Sequence, residues 1–157
     1  MNSAAVRIRP MTLADYASVH RLWQEAEGLS LGEDDQRRGI KLYLARNRGL
    51  CFVATTKGAI IGTVLCGHDG RRGILRHLVV QPEFRKRGIG RVLVQKCLAA
   101  LAKQGIRKCN TFVMDYNVLG LRFWKRIGFR LFKYDYRTLQ IVTSASPRIP
   151  SPRRIRT

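Results

Sequence analysis

The chain has 157 residues, of which 45% are hydrophobic and 25% charged. That length suits one compact domain with a buried core, and that composition excludes a disordered chain or a fibrous repeat. Lysine and arginine total 30 against 10 acidic residues, giving a formal charge of +20 and a field that attracts polyanions without choosing among them.

No apolar run reaches the length needed to cross a bilayer, and the N-terminus lacks the charged-then-apolar order of a signal peptide. A cytoplasmic protein with no membrane partner is expected. The four cysteines, Cys51, Cys66, Cys97 and Cys109, sit singly in apolar stretches, with no C-x-x-C pair and no histidine at metal-ligand spacing. They read as reduced core residues, and no metal site is expected.

In chain order, residues 6–9 alternate apolar and basic as a first strand. Thr12 then opens a helix as its N-cap, with Asp15 three residues on and Leu13, Tyr16, Val19, Leu22 and Trp23 at helical spacing. After the break at 28–32, the carboxylates Glu33, Asp34 and Asp35 suit the start of a second helix running to Arg46, despite Gly39. Two apolar, partly β-branched runs, 50–54 and 59–65, joined at Lys57-Gly58, predict a hairpin that ends over 67–70. Residues 74–80 read as another strand stopped by Pro82, and 91–104 as a helix closed by Gly105. A strand over 109–114, a short helix over 119–127 and a basic, aromatic strand or hairpin over 130–142 complete a mixed α/β order. From Thr143 the composition turns to serine, proline and arginine. One domain over 1–142 with a flexible basic tail over 143–157 is the expected organisation.

The chemistry concentrates in Leu78-Val79-Val80-Gln81-Pro82-Glu83-Phe84-Arg85-Lys86-Arg87-Gly88-Ile89-Gly90, a strand, a breaker and a basic, glycine-containing entry into a helix. A helix N-terminus presents unpaired N–H groups and a positive dipole end, glycines admit close approach of an anion, and basic side chains add charge-assisted bonds. This suits a pyrophosphate. The dinucleotide fingerprint fails because Leu93 stands three residues beyond Gly90, and the P-loop fails for want of a Gly-Lys-Ser/Thr ending.

Arg85-x-x-Gly88-x-Gly90 directly after Leu78-Val79-Val80 resembles the central motif of the GNAT acetyltransferases. The resemblance continues through Asn117, Gly120, Phe123-Trp124 and Ile127-Gly128-Phe129, and upstream through Ile61-Gly62-Thr63-Val64, covering most of residues 6–142. It implies a GNAT-like α/β (α+β) fold: a mixed, mostly antiparallel sheet with a V-shaped splay between the fourth and fifth strands, and helices on both faces. It further implies that acetyl-CoA is the acyl donor. The backbone from Lys86 through Arg87, Gly88, Ile89 and Gly90 to Arg91 would hold its pyrophosphate, with charge from Arg85, Lys86 and Arg87. Leu78 and Val80, flanking Val79, would pair with pantetheine as an added strand does. Asn117 would contact the cofactor arm, and as a residue it equally suits an N-cap for the following helix.

Acyl transfer to an amine needs a neutral amine, a thioester within attack distance, a donor to the oxyanion and a proton for the thiolate. The resemblance offers the Val80 N–H as oxyanion donor and direct attack in a ternary complex. Where the family often carries a tyrosine as acid, this chain has Trp124, whose indole donates a hydrogen bond but is no acid near neutral pH; it reads as a group positioning the thioester or as core filler. Tyr116 lies nearby in sequence. For the base, Glu33, Asp34, Asp35, His68, Asp69 and His77 all remain open, and no catalytic residue is assigned. Similarity to ribosomal-protein N-terminal acetyltransferases is limited, because Phe112 stands where they carry an acid. The expected function is N-acetylation of a primary amine on a small molecule or a protein, by a monomer or homodimer; the alternative is a basic nucleic-acid-binding module of the same fold without turnover.

Overall fold

The computed structural model describes residues 5–132 and residue 139. Among the described residues, five strands form one sheet in the order β1-β2-β3-β4-β5: β1 (Arg7–Pro10), β2 (Phe52–Thr56), β3 (Ala59–His68), β4 (Gly73–Val80) and β5 (Cys109–Thr111). The first three pairings are antiparallel and β4 pairs with β5 in parallel. The expected mixed, mostly antiparallel sheet is therefore present. Four α-helices of the described residues accompany it: α1 (Tyr16–Gln24), α2 (Arg37–Arg46), α3 (Ile89–Lys103) and α4 (Val118–Arg126).

The hairpin between β2 and β3 turns at Lys57 and Gly58, both at positive φ (48° and 80°), the combination a two-residue type I′ turn requires. Strand β3 is central, and Ile61 through Gly67 are all buried. That explains its near-continuous apolar run, since both faces are covered and no polar alternation is needed. On one face, Val19, Leu22 and Trp23 of α1 and Ile40 of α2 meet Cys51, Val53, Leu65 and Val79. On the other, Leu93, Val94, Cys97 and Leu101 of α3 meet Phe52, Ala54, Val64, Cys66 and Leu75, with Phe123 and Trp124 of α4 packed at the margin. Helices thus cover both faces, as expected.

Several boundaries differ from the sequence reading. The turn at Leu13–Asp15 is a 3₁₀ segment, and α1 proper begins at Tyr16. The three carboxylates at Glu33–Asp35 likewise form a separate 3₁₀ turn, because Gln36 is extended (ψ 159°) before α2 starts at Arg37. Helix α3 begins at Ile89, not at residue 91, with Gly88 as its N-cap. Strand β5 ends at Thr111 rather than continuing to 114; beyond it the chain leaves β4, and the Phe112 side chain is 64% exposed. Of the segment 130–142, residues 130–132 carry no strand. Its remainder, and with it the domain boundary at 142 and the basic tail, falls outside the described residues apart from residue 139.

Asp15 organises the entry to α1. Its carboxylate accepts from the Thr12 backbone N–H (2.8 Å), from the Thr12 hydroxyl (3.2 Å), and from both terminal nitrogens of Arg9 (2.8 and 2.7 Å). These bonds, the Arg9 pair above all, hold its carboxyl below the usual range. All four cysteines are free. Burial pushes the Cys51 and Cys109 thiols up to about 12, and Cys97 is raised by its hydrogen bond with Cys66 and by burial. A protonated, buried thiol is neither nucleophile nor ligand.

Asp15→Ala should destabilise the fold by about 1–2 kcal/mol at pH 7, the usual cost of losing a capping side chain, seen as a lower unfolding temperature. Because the native carboxyl is depressed, that difference is full above the ordinary carboxylate range and fades as pH falls through the lowered native value. With a thiol reagent at neutral pH the native protein should react little, and all four cysteines should react after unfolding; fast native modification of Cys51, Cys66 or Cys97 would contradict the packing.

Candidate active site

The site is built on the second half of β4. Pairing with β5 covers only Gly73, Ile74 and Leu75, opposite Cys109, Asn110 and Thr111, so β4 from Arg76 onward parts from its neighbour. This is the expected V-shaped splay. On the other edge, Gln81 N–H donates to the Ile61 carbonyl at 2.8 Å and Val80 lies opposite Gly62. In an antiparallel ladder, hydrogen-bonded and non-hydrogen-bonded pairs alternate. The backbone groups of Val80, and by the same alternation those of Leu78, therefore turn away from β3 toward the opening. The Arg85 side chain reaches Val80 from that side, its Nε donating to the Val80 carbonyl at 2.9 Å. Val79 points into the core beneath α1.

A bulge precedes this stretch. Thr63 faces Val79 and Leu65 faces Arg76, so one β3 residue spans the two β4 residues His77 and Leu78, and the backbone of His77 takes φ 51°.

Pro82–Phe84 forms a 3₁₀ turn out of β4, Lys86 takes φ 59°, and Gly88 takes φ 79° before α3 starts. At that φ a side chain is strained, so glycine is favoured at position 88. The first intrahelical bond runs from Val92 N–H to Gly88 O (3.1 Å). The amides of Ile89, Gly90 and Arg91, in the first turn, thus have no carbonyl within the helix to meet. Arg85, Lys86, Arg87 and Arg91 are exposed around them, with the Arg87 guanidinium 5.3 Å from the Phe84 ring. Donors, dipole and charge converge on one small surface, a ready anion cradle.

Helix α4 closes one wall. Asn117 is its N-cap, its side-chain oxygen accepting from Gly120 N–H at 2.8 Å, so the capping role weighed for it is real. A Cβ placed on Gly90 would lie 3.3 Å from the Phe123 ring and 3.8 Å from a Val80 methyl, and one on Gly28 would lie 3.7 Å from the Asn117 amide nitrogen. Phe123, a residue that sequence reasoning gave no role, is therefore the α4 side chain against the cradle. Trp124 is half-buried between Phe123 and Phe129 in edge-on stacks of 5.3 and 4.8 Å. It also borders a cleft of about 850 Å³ that Thr111, Phe112 and Phe129 help to line. Tyr116 is 72% exposed, away from this packing.

The six acid–base candidates separate cleanly. His68 uses both ring nitrogens at the far end of the β3–β4 hairpin, Nδ1 accepting from Gly70 N–H (3.0 Å) and Nε2 bonding Gln104 (2.8 Å). Asp69 accepts the Arg71 and Arg72 amides at 2.8 Å, which lowers its pKa. Glu33 and Asp34 are exposed. Asp35 and His77 come together: His77 Nε2 lies 2.7 Å from Asp35 Oδ1, the His77 side chain only 11% and the Asp35 side chain only 13% exposed. Among the described residues there is no group of three or more His, Cys, Asp or Glu placed to hold a metal, and no helix long and apolar enough to cross a membrane.

Comparison with known proteins agrees with this geometry. The PaiA N-acetyltransferase of Thermoplasma acidophilum, solved with coenzyme A, superposes with a TM-score of 0.75 at 20% identity, over 83% of this chain and 93% of that one. The diaminobutyrate acetyltransferase of Paenibacillus lautus, solved with its substrate and coenzyme A, gives 0.68 at 20% identity over 79% and 75%. The ribosomal-protein-S18-alanine N-acetyltransferase of Escherichia coli gives 0.67 at 17% over 80% and 78%. None of these matches supports a nucleic-acid-binding module without turnover. Residues 16–129, well over half of the chain, match the acetyltransferase (GNAT) family, and the chain belongs to that family.

Proposed function

We propose that the protein transfers the acetyl group of acetyl-CoA to a primary amine, of a small molecule or of a protein, by direct attack in a ternary complex. One observation carries this reading: the open edge of β4, where Val80 presents its backbone, runs directly into the glycine-capped N-terminus of α3. A thioester cofactor with an amide-bearing arm and a pyrophosphate needs those two features, in that order, and the residues present fit it.

In this reading the amides from Lys86 to Arg91 bind the pyrophosphate, helped by Arg85, Lys86 and Arg87. Leu78 and Val80 offer backbone groups to the pantetheine arm as an edge strand does, while Val79 anchors the strand. Asn117 contacts the arm as well as capping α4, and Trp124 flanks the acyl end. The Val80 N–H faces the developing oxyanion, where a fixed donor in a water-poor site counts for most. Bound acetyl-CoA supplies the activated carbonyl and the thiolate leaving group. The structural relatives named above act on chemically different amines, so what they share with this chain is the fold that bears the cofactor side. Four free cysteines suit a reducing, cytoplasmic setting.

Calorimetric titration tests this directly. The wild type should bind acetyl-CoA selectively over ATP and a short RNA. Gly90→Val, which drives a branched side chain against Phe123 and Val80, should weaken acetyl-CoA binding by roughly tenfold or more, about 1.4 kcal/mol. Gly88→Ala should weaken it too, while costing the fold about 1–2 kcal/mol for the left-handed residue. Equal binding of every polyanion, or unchanged affinity in folded Gly88 and Gly90 variants, would remove the pyrophosphate assignment.

A further inference from the structure

Three described residues other than glycine have positive φ. Lys57 sits in a hairpin turn and Lys86 in the loop before α3; His77 sits inside a strand. A left-handed residue in mid-strand persists only when its surroundings hold it, and such strain gathers at functional positions. Here the surroundings are specific. Asp35 Oδ1 meets His77 Nε2 at 2.7 Å, Asp35 Oδ2 accepts the Gly32 amide at 2.9 Å, and the Asp35 carbonyl accepts the Tyr16 hydroxyl at 3.1 Å. Trp23 packs edge-on against the imidazole at a centroid distance of 4.8 Å. A Cβ on Gly39 would strike the Asp34 carbonyl, so the absence of a side chain there lets the Glu33–Asp35 turn lie against α2.

The place matters as much as the pairing. His77 stands two residues past Leu75, the last β4 residue paired with β5, and three before Val80. Trp23 belongs to the α1 face of the sheet, whereas α3, which bears the anion cradle, packs on the opposite face. An acyl group led from the cradle into the opening of the sheet therefore arrives beside His77 from the far side. We propose that His77 is the general base that deprotonates the acceptor amine, with Asp35 as its positioning residue; this rests on the acetyl-transfer reading above.

With its Nε2–H donated to Asp35, the ring keeps the Nδ1 lone pair. Nδ1 takes one proton from the acceptor ammonium and later passes it to solvent. The freed nitrogen lone pair forms the C–N bond at the thioester carbonyl, and the oxyanion forms. Its collapse breaks the C–S bond, the sulfur leaves with that electron pair, and the second nitrogen proton ends on the thiolate. The groups acting on His77 are Asp35 and, on its own strand, Arg76; α1 faces it with Trp23, which does not titrate. Burial, the larger influence, lowers its pKa, Asp35 opposes that, and Arg76 lowers it further. The base form is thus present at neutral pH.

The test uses the full chain as wild type, His77→Asn and Asp35→Asn; asparagine tolerates a left-handed backbone. Acetyl-CoA affinity is read by calorimetry, and product by mass with ethylenediamine, tyramine and a peptide bearing a free N-terminal alanine. His77→Asn should bind acetyl-CoA as the wild type does, yet lose about 10²–10³-fold in kcat/KM at pH 7, with the gap narrowing as pH rises. Asp35→Asn should keep the acid limb of the pH profile and move it to lower pH, since the influence that raises the His77 pKa is gone. If His77→Asn does not fold, an NMR titration of wild-type His77 decides: its midpoint must follow the acid limb, and a mismatch overturns the proposal. Unchanged kcat/KM and acid limb in folded His77→Asn would overturn it alone, whereas a wild type without acetyl-CoA binding would bring down the acetyl-transfer reading with it.

Discussion

Strand β4 is tied to β5 by three residue pairs and then released, and that release governs what the rest of the molecule does. Buried backbone amides and carbonyls must find partners. Past Leu75, β4 satisfies one edge through β3 and, among the described residues, leaves the other open at Leu78 and Val80, with Arg85 already claiming the Val80 carbonyl. Such an edge inside a sheet is a place for an extended ligand to complete. The bulge at His77 sits where the release begins and adds local twist, so the separation of the strands and the strained histidine belong to one distortion of the backbone.

The two faces of the sheet then divide the labour. Helix α3 seals one face with Leu93, Val94, Cys97 and Leu101, while the exposed Arg85, Lys86, Arg87 and Arg91 surround its first turn. Helices α1 and α2 seal the other with Val19, Leu22, Trp23 and Ile40, and the turn between them delivers Asp35 to His77. On the proposed reading, the two chemistries that acyl transfer demands, holding a polyanionic donor and managing the proton of an amine, would lie on opposite sides of the sheet and meet through the opening. A chain of charge +20 could attract anions almost anywhere on its surface; the backbone geometry at Gly88 supplies the direction that charge lacks.

The segment from Leu78 to Gly90 was legible because its requirements are local. A strand, a proline stop, a left-handed glycine and a helix start each leave a mark in adjacent residues, and the hairpin at Lys57-Gly58 did so for the same reason. Cys51, Cys66 and Cys97 were legible as core residues from their apolar neighbours, whereas Cys109, read the same way, is only half-buried. Contacts between distant residues were not legible. His77 and Asp35 were two among six candidates, separated by 42 positions, and a bulge with no turn residue at its centre joined them. Phe123 was passed over for Trp124, since only the approach of α4 to α3 shows which ring abuts Gly90. The early end of β5 was also hidden, because its apolar run continues into Phe112 and Val113 after the pairing has stopped.

On the proposed reading, the open edge of β4 and the first turn of α3 form one berth for acetyl-CoA. Amide hydrogen exchange with and without acetyl-CoA addresses it residue by residue. Slowed exchange at Leu78, Val80, Ile89, Gly90 and Arg91 together is the predicted result; slowing confined to other segments, or none at these amides under saturating acetyl-CoA, would contradict it.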